Sequence, residues 1–117
     1  MGQTVNAAVR VKVLERCRFR CERCGLRLPS GLHMSHRQPR GMGGQKGRPH
    51  DRLSNINALC PKCHLGFVER EPAEAERLGF RVRRGGSTRN TPFLAWFGWT
   101  SIDDAGAYDT VPDPVSS

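Results

Sequence analysis

CERC (residues 21–24) and CPKC (residues 60–63) are two Cys-x-x-Cys turns separated by 35 residues. Each turn lets two thiolates approach one ion, and two turns complete the four-sulfur tetrahedron that Zn²⁺ takes. Such a shell has no open position. A zinc held by Cys21, Cys24, Cys60 and Cys63 is therefore expected to be structural, not catalytic. It would also answer a shortage. Only 37% of the 117 residues are hydrophobic and 7% aromatic, enough for one domain with a thin core. Metal binding adds its free energy to folding. The fifth cysteine, Cys17, is left over. A Cys-x₃-Cys pairing with Cys21 is less usual, so Cys17 is read as a small, partly buried thiol.

Elements follow on either side of the turns. Residues 4–16 place Val5, Val9 and Val13 four apart, as on a helix face, yet Val9, Val11 and Val13 also alternate as in a strand. Thr4 as a cap and two alanines favour the helix. Residues 32–38 and 52–59 are expected strands. PRGMGGQKGRP (39–49) is too rich in glycine and proline for regular structure. Residues 61–70 suggest a short helix, and Pro72 opens another that Gly79 ends. RRGGSTRNT (83–91) has the composition of a linker. Residues 92–111 suggest a terminal hairpin with both tryptophans covered, and VPDPVSS a disordered end. The expected division is a metal-stapled domain at 1–84 and an extension at 85–117.

Charge narrows the function. The 19 cations, 16 of them arginine, exceed 11 acids, for a net charge of +8. Residues 1–68 hold 13 basic and 3 acidic residues, and residues 69–117 hold 6 and 8. A basic domain attracts polyanions, chiefly nucleic acid, and the guanidinium fork suits phosphate. Arg37, Arg40, Lys46 and Arg48 flank the glycine-rich loop and are candidate phosphate contacts. Arg16, Arg18, Arg20, Arg23 and Arg27 around the first turn form a second set. No apolar run approaches the roughly 18 residues of a membrane span. The start of the chain lacks the features of a signal peptide, so a cytoplasmic location with reduced thiols is expected.

A metal clamp joining 21–24 to 60–63 folds the intervening chain back on itself. That brings residues 33–36 towards His64 and makes His36 and His64 candidate functional residues.

The strings HMSHRQPRGMGG (33–44) and LSNINALCPKCH (53–64) resemble the HNH endonuclease family, whose active site is a ββα-metal motif. They are most similar to the small HNH nucleases of actinobacterial phages, with an HR-x-PRG-x-GG segment, an Asn five residues before a CxxC and a His directly after it. The resemblance covers about residues 10–82. It implies a small α+β fold: a ββα-metal motif stapled by the four-cysteine zinc, an N-terminal helix and an extended or hairpin tail. It implies that His36 is the general base, Asn55 orients it, and His64 binds a catalytic divalent ion. It further implies DNA as partner, phage packaging proteins as possible neighbours, and the host cytoplasm as location if phage-encoded.

One position departs from the family. The residue before the base is usually Asp or His and ligates the ion; here it is Ser35. His33, on the same strand face, and Asp51 are alternative donors. Imidazole changes charge near neutral pH and can take a proton from water. Mg²⁺ or Mn²⁺ can stabilise charge on phosphate and leaving oxygen, and an imidazole ligand also suits Ni²⁺ or Zn²⁺. Two other readings explain charge and cysteines: a non-catalytic, zinc-ribbon-like nucleic-acid-binding module, and a protein-interaction domain using FLAWFGW (93–99). Neither accounts for His36, Asn55 and His64 at family spacing.

Overall fold

A computed structural model of the chain describes residues 5–38 and 52–114. The glycine-rich loop, with Arg40, Lys46, Arg48, His50 and Asp51, lies outside the described residues, as does the end of the tail from 115.

The ambiguous first segment is a helix, α1 (Ala7–Cys17). Val13 is fully buried while Val11 is 53% exposed, which is the helical period; a strand would have put both on one face. The cap is Asn6 rather than Thr4, which is outside the described residues. The Asn6 side-chain oxygen accepts from the Ala8 N–H at 2.8 Å, satisfying a free donor of the first turn. The helix stops where Arg18 and Phe19 turn left-handed, with φ of 55° and 60°.

β1 (His33–His36) pairs antiparallel with β2 (Ile56–Leu59), setting Ser35 opposite Asn57 and His36 opposite Ile56. The second strand is shorter than the expected 52–59, because Leu53–Asn55 forms a 3-10 turn. α2 (Pro61–Cys63) starts on a proline, and the chain continues as a π-helical turn over His64–Val68. β1, β2 and α2 make the ββα unit. α3 (Pro72–Arg77) follows. Gly79 then has φ +85°, and a Cβ there would lie 2.0 Å from the Pro92 carbonyl oxygen. Only glycine lets these segments meet so closely. Val13, Ile56, Leu59, Val68, Phe80, Phe93 and Ile102 share one core.

Beyond α3 the expectation needs correcting. The single terminal hairpin is a three-stranded meander: β3 (Phe93–Ala95), β4 (Gly98–Ile102) and β5 (Tyr108–Thr110), in that order. It is anchored because Phe93 and Ile102 are fully buried in the core. The tryptophans are not both covered: Trp96 is 52% exposed. The segment expected as a linker also packs. Thr88 is buried with its hydroxyl 2.8 Å from that of Ser54, and Gln38 Nε2 donates to the carbonyls of Arg83 and Gly86. Among the described residues no helix is long and apolar enough to cross a membrane.

Candidate metal centre and active site

The first cysteine turn is closed by backbone bonds. The Gly25 N–H donates to the Cys21 carbonyl at 2.8 Å, and the Cys21 N–H donates to that of Leu26 at 2.8 Å. Gly25 has φ +81°, and a Cβ there would meet Trp96 Cγ at 3.0 Å, so a side chain is excluded by conformation and by space. In the second turn Cys60 caps α2, and the His64 N–H donates back to its carbonyl at 2.9 Å.

The four sulfurs of Cys21, Cys24, Cys60 and Cys63 lie within 4.8 Å of one another. Cys24 Sγ and Cys60 Sγ are 3.8 Å apart. A Zn–S bond of about 2.3 Å gives a tetrahedral S···S edge of roughly 3.8 Å, so this donor set fits zinc. Without an ion, a thiol–thiolate bond from Cys63 lowers the Cys21 pKa, and the same bond raises that of Cys63. Arg23 Nη1 reaches Cys63 Sγ at 3.4 Å, and its guanidinium lies 3.7 Å from the Phe67 ring centroid. A cation here offsets the excess negative charge of four thiolates around one Zn²⁺. Cys17 is buried and outside the cluster.

The metal turn carries His64 directly after Cys63, and its imidazole is buried. His64 Nδ1 lies 2.9 Å from His33 Nδ1, and the rings meet edge to face at 5.1 Å. At this distance one nitrogen donates its N–H and the other accepts it, so the two Nδ1 atoms share one small space. Burial, with His33 alongside, lowers the pKa of His64 and keeps it in the neutral form that can ligate. His64 Nε2 is buried without a hydrogen-bond partner; the Glu69 carboxylate stands 3.7 Å away, next to Arg81 at 3.8 Å. Of the two expected donors on β1, His33 faces His64, while Ser35 is buried opposite Asn57.

His36 is buried at the end of β1. Strand alternation gives His33 and Ser35 one face and His36 the other. Asn55 acts on the chain that follows. Its side-chain oxygen accepts from the Gln38 N–H at 2.8 Å, and its backbone oxygen accepts from the Arg37 N–H at 2.7 Å. The backbone leaving His36 is thereby fixed from the β2 side.

Two of the expected phosphate contacts are corrected. Arg37 is 1% exposed. Its guanidinium donates to the carbonyls of Gly79, Ser54 and Thr88 at 2.9 Å and of Thr91 at 2.5 Å, lashing the segment after α3 to the ββα unit. Burial lowers its pKa to about 9, still a cation at neutral pH, and the carbonyl dipoles replace water around the charge. Arg16 is likewise inside, with its side chain 5% exposed against Glu22. Arg18 and Arg20 are exposed.

A buried network was not foreseen. Glu22 is 0% exposed and accepts from Arg16 Nε at 2.9 Å, Tyr108 Oη at 2.5 Å, Asn57 Nδ2 at 3.1 Å and the Ala58 N–H at 2.9 Å. Arg16 also donates to the carbonyls of Leu53 and Ile56. This ties α1, the first metal turn, β2 and β5 together. The available signal was that Glu22 is the only acid among residues 16–50 and sits inside a metal turn. Burial pushes the Glu22 carboxyl up, but the Arg16 charge and hydrogen bonds outweigh it, and the net pKa lies below 4.5. Burial and then Glu22 push Tyr108 above 10. The first shift gives stability that is present above about pH 4.5 and lost as pH falls; the second gives stability present below about pH 10 and lost as pH rises. Stability in urea should therefore plateau between these values. Glu22→Gln should cost about 3 kcal/mol at neutral pH and flatten the acid limb. An unchanged acid limb in that variant would contradict the assignment.

The family model of HNH endonuclease matches residues 21–66. That segment is an HNH domain. The match begins at Cys21 and ends at Gly66, so it takes in both cysteine turns, all of β1 and β2, and His33, His36, Asn55 and His64. No curated protein and no solved structure matches the chain. The HNH domain indicates nuclease or nucleic-acid-binding function, and its sulfur cluster has the composition of a metal site.

Proposed function

We propose that the chain is a metal-dependent DNA endonuclease that hydrolyses phosphodiester bonds, with residues 1–84 as the nuclease unit and 85–117 as an extension. The observation that carries this reading is the approach of His33 Nδ1 to His64 Nδ1, 2.9 Å apart beside a cluster of four cysteine sulfurs. Two imidazole nitrogens converging from a strand and a metal-anchored helix supply two donors of an ion site that water and substrate would complete, unlike the closed sulfur shell.

His33 and His64 would hold the catalytic Mg²⁺ or Mn²⁺, with Ni²⁺ or Zn²⁺ also suited to imidazole, and the four cysteines a structural Zn²⁺. His33 takes the part that the family pattern gives to the position of Ser35. When bound, the catalytic ion offsets negative charge on the phosphate and on the departing 3′ oxygen. His36 accepts the proton of the attacking water as the new P–O bond forms and the P–O3′ bond breaks. Asn55 supports that base by pinning the backbone just beyond it.

The substrate reading rests on charge. Arg18 and Arg20 are exposed, and Arg40, Lys46 and Arg48 follow the base in sequence. Contacts of this kind grip phosphate without reading bases, so binding should be salt-sensitive and little dependent on sequence.

The alternative, a non-catalytic nucleic-acid-binding module, draws on one observation: a serine stands where a charged or imidazole ligand is usual. Supercoiled plasmid separates the two. The intact protein with Mg²⁺ or Mn²⁺ should convert it to nicked or linear forms, and EDTA should stop the conversion. Plasmid that is bound but stays supercoiled in every metal would favour the alternative.

A further inference from the structure

The β3–β4 connection is a two-residue loop, Trp96–Phe97, because Ala95 pairs with Gly98. Tight hairpin loops of this length favour residues that tolerate positive φ, chiefly glycine and asparagine. Here two large aromatics stand in the loop, neither with positive φ, 52% and 37% exposed. A second break of local rules lies opposite. Arg18 and Phe19 both adopt positive φ, and Phe19 is left 39% exposed. Sequences keep such conflicts where function requires them.

Arg18, Trp96 and Phe97 border one groove of about 420 Å³, which Arg20 and Tyr108 also line. Its aromatic wall is continuous: Trp96 to Phe97 at 5.4 Å, then Phe97 to Tyr108 at 5.0 Å. The Arg20 guanidinium sits 5.8 Å from the Trp96 ring centroid. No described carboxylate pairs with Arg18 or Arg20.

We propose that this groove binds an unpaired nucleotide of a nucleic-acid strand, the base stacking on Trp96 and the flanking phosphates meeting Arg18 and Arg20. Exposed rings offer π-faces that any base can use, and paired bases in a duplex have none free. Arg18 and Arg20 supply the complementary charge, and Arg20 is held in place by donating to the Gly25 carbonyl at 3.0 Å. A second copy of the chain is a poor occupant, because a symmetric contact would bring the same cations together. The inference rests on the nucleic-acid part of the nuclease reading and deepens it: the substrate class becomes DNA with a single-stranded or unstacked portion.

The test is fluorescence anisotropy with the intact protein, no added divalent metal, and two labelled probes, a short oligo-dT strand and a duplex of equal length. Trp96→Ala should weaken single-strand binding about tenfold, the cost of one lost stack, and duplex binding less than about twofold. The tenfold loss should persist at high salt, while the loss from Arg20→Ala should shrink as salt rises. Trp96→Phe should restore most of the affinity, which a damaged fold would not do. Unchanged single-strand affinity in Trp96→Ala would overturn the proposal, as would equal losses on both probes. Self-association of the wild type that Trp96→Ala abolishes, with nucleic-acid affinity unchanged, would overturn it in favour of a protein contact. A wild type that never cleaves plasmid would sink the nuclease reading without touching this result.

Discussion

His36→Ala is expected to lower phosphodiester cleavage by about 10²–10⁴-fold, the range for losing a positioned general base. Salt-sensitive DNA binding should survive. The exposed cations that would grip phosphate, Arg18 and Arg20, belong to the turn after α1, while His36 ends β1. The ion site should survive too, since the converging nitrogens belong to His33 and His64. Gel shift at low and high salt, beside plasmid conversion in Mn²⁺, separates these effects. Full cleavage by His36→Ala would remove the base from His36. Loss of DNA binding together with cleavage would mean that the residue supports the fold instead.

Cys63→Ser is expected to abolish the cooperative thermal transition. Structural zinc in small domains is worth roughly 10–16 kcal/mol at neutral pH, and a domain's whole stability is commonly about 5–15 kcal/mol. The core of this chain is thin, and the sulfur cluster joins the first turn to α2. Cys63 also abuts Arg23, whose guanidinium would lose its anionic partner. Cys17→Ser makes the control: a buried thiol outside the cluster should cost about 1–2 kcal/mol. Metal analysis should find one zinc per chain in the wild type and none in Cys63→Ser. A Cys63→Ser protein that melts as cooperatively as the Cys17→Ser control would refute the clamp.

The ββα unit was legible because its information is local or carried by chemistry. Metal-ligand spacing admits few alternatives, and a proline-started α2 after a four-residue strand follows from ordinary propensities. The valine pattern of α1 fits both periods over 13 residues, so capping and alanine content had to arbitrate, and they did so two residues away from the true cap. The region after α3 was harder. RRGGSTRNT has a linker's composition, and what orders it is Arg37, more than forty residues earlier, donating to the carbonyls of Thr88 and Thr91. No local pattern distinguishes an arginine that solvates itself with carbonyls from one waiting for phosphate.

The same holds for the site. His36, Asn55 and His64 could be named from the family spacing, and the four cysteines from chemistry alone. The partner of His64 could not. His33 and Ser35 share a strand face, and only the position of α2 against β1 shows which of them His64 meets. Glu22 stayed hidden for a related reason. An acid among arginines looks like a solvated charge until Tyr108, 86 positions later, closes over it.

The most direct test of the proposed ion site is anomalous diffraction from a crystal of the intact protein soaked in Mn²⁺. The structure predicts a manganese peak within bonding distance of His33 Nδ1 and His64 Nδ1, separate from a zinc peak among the four sulfurs. Zinc at the sulfurs with no manganese at the two imidazoles, under conditions in which plasmid is cut, would contradict it.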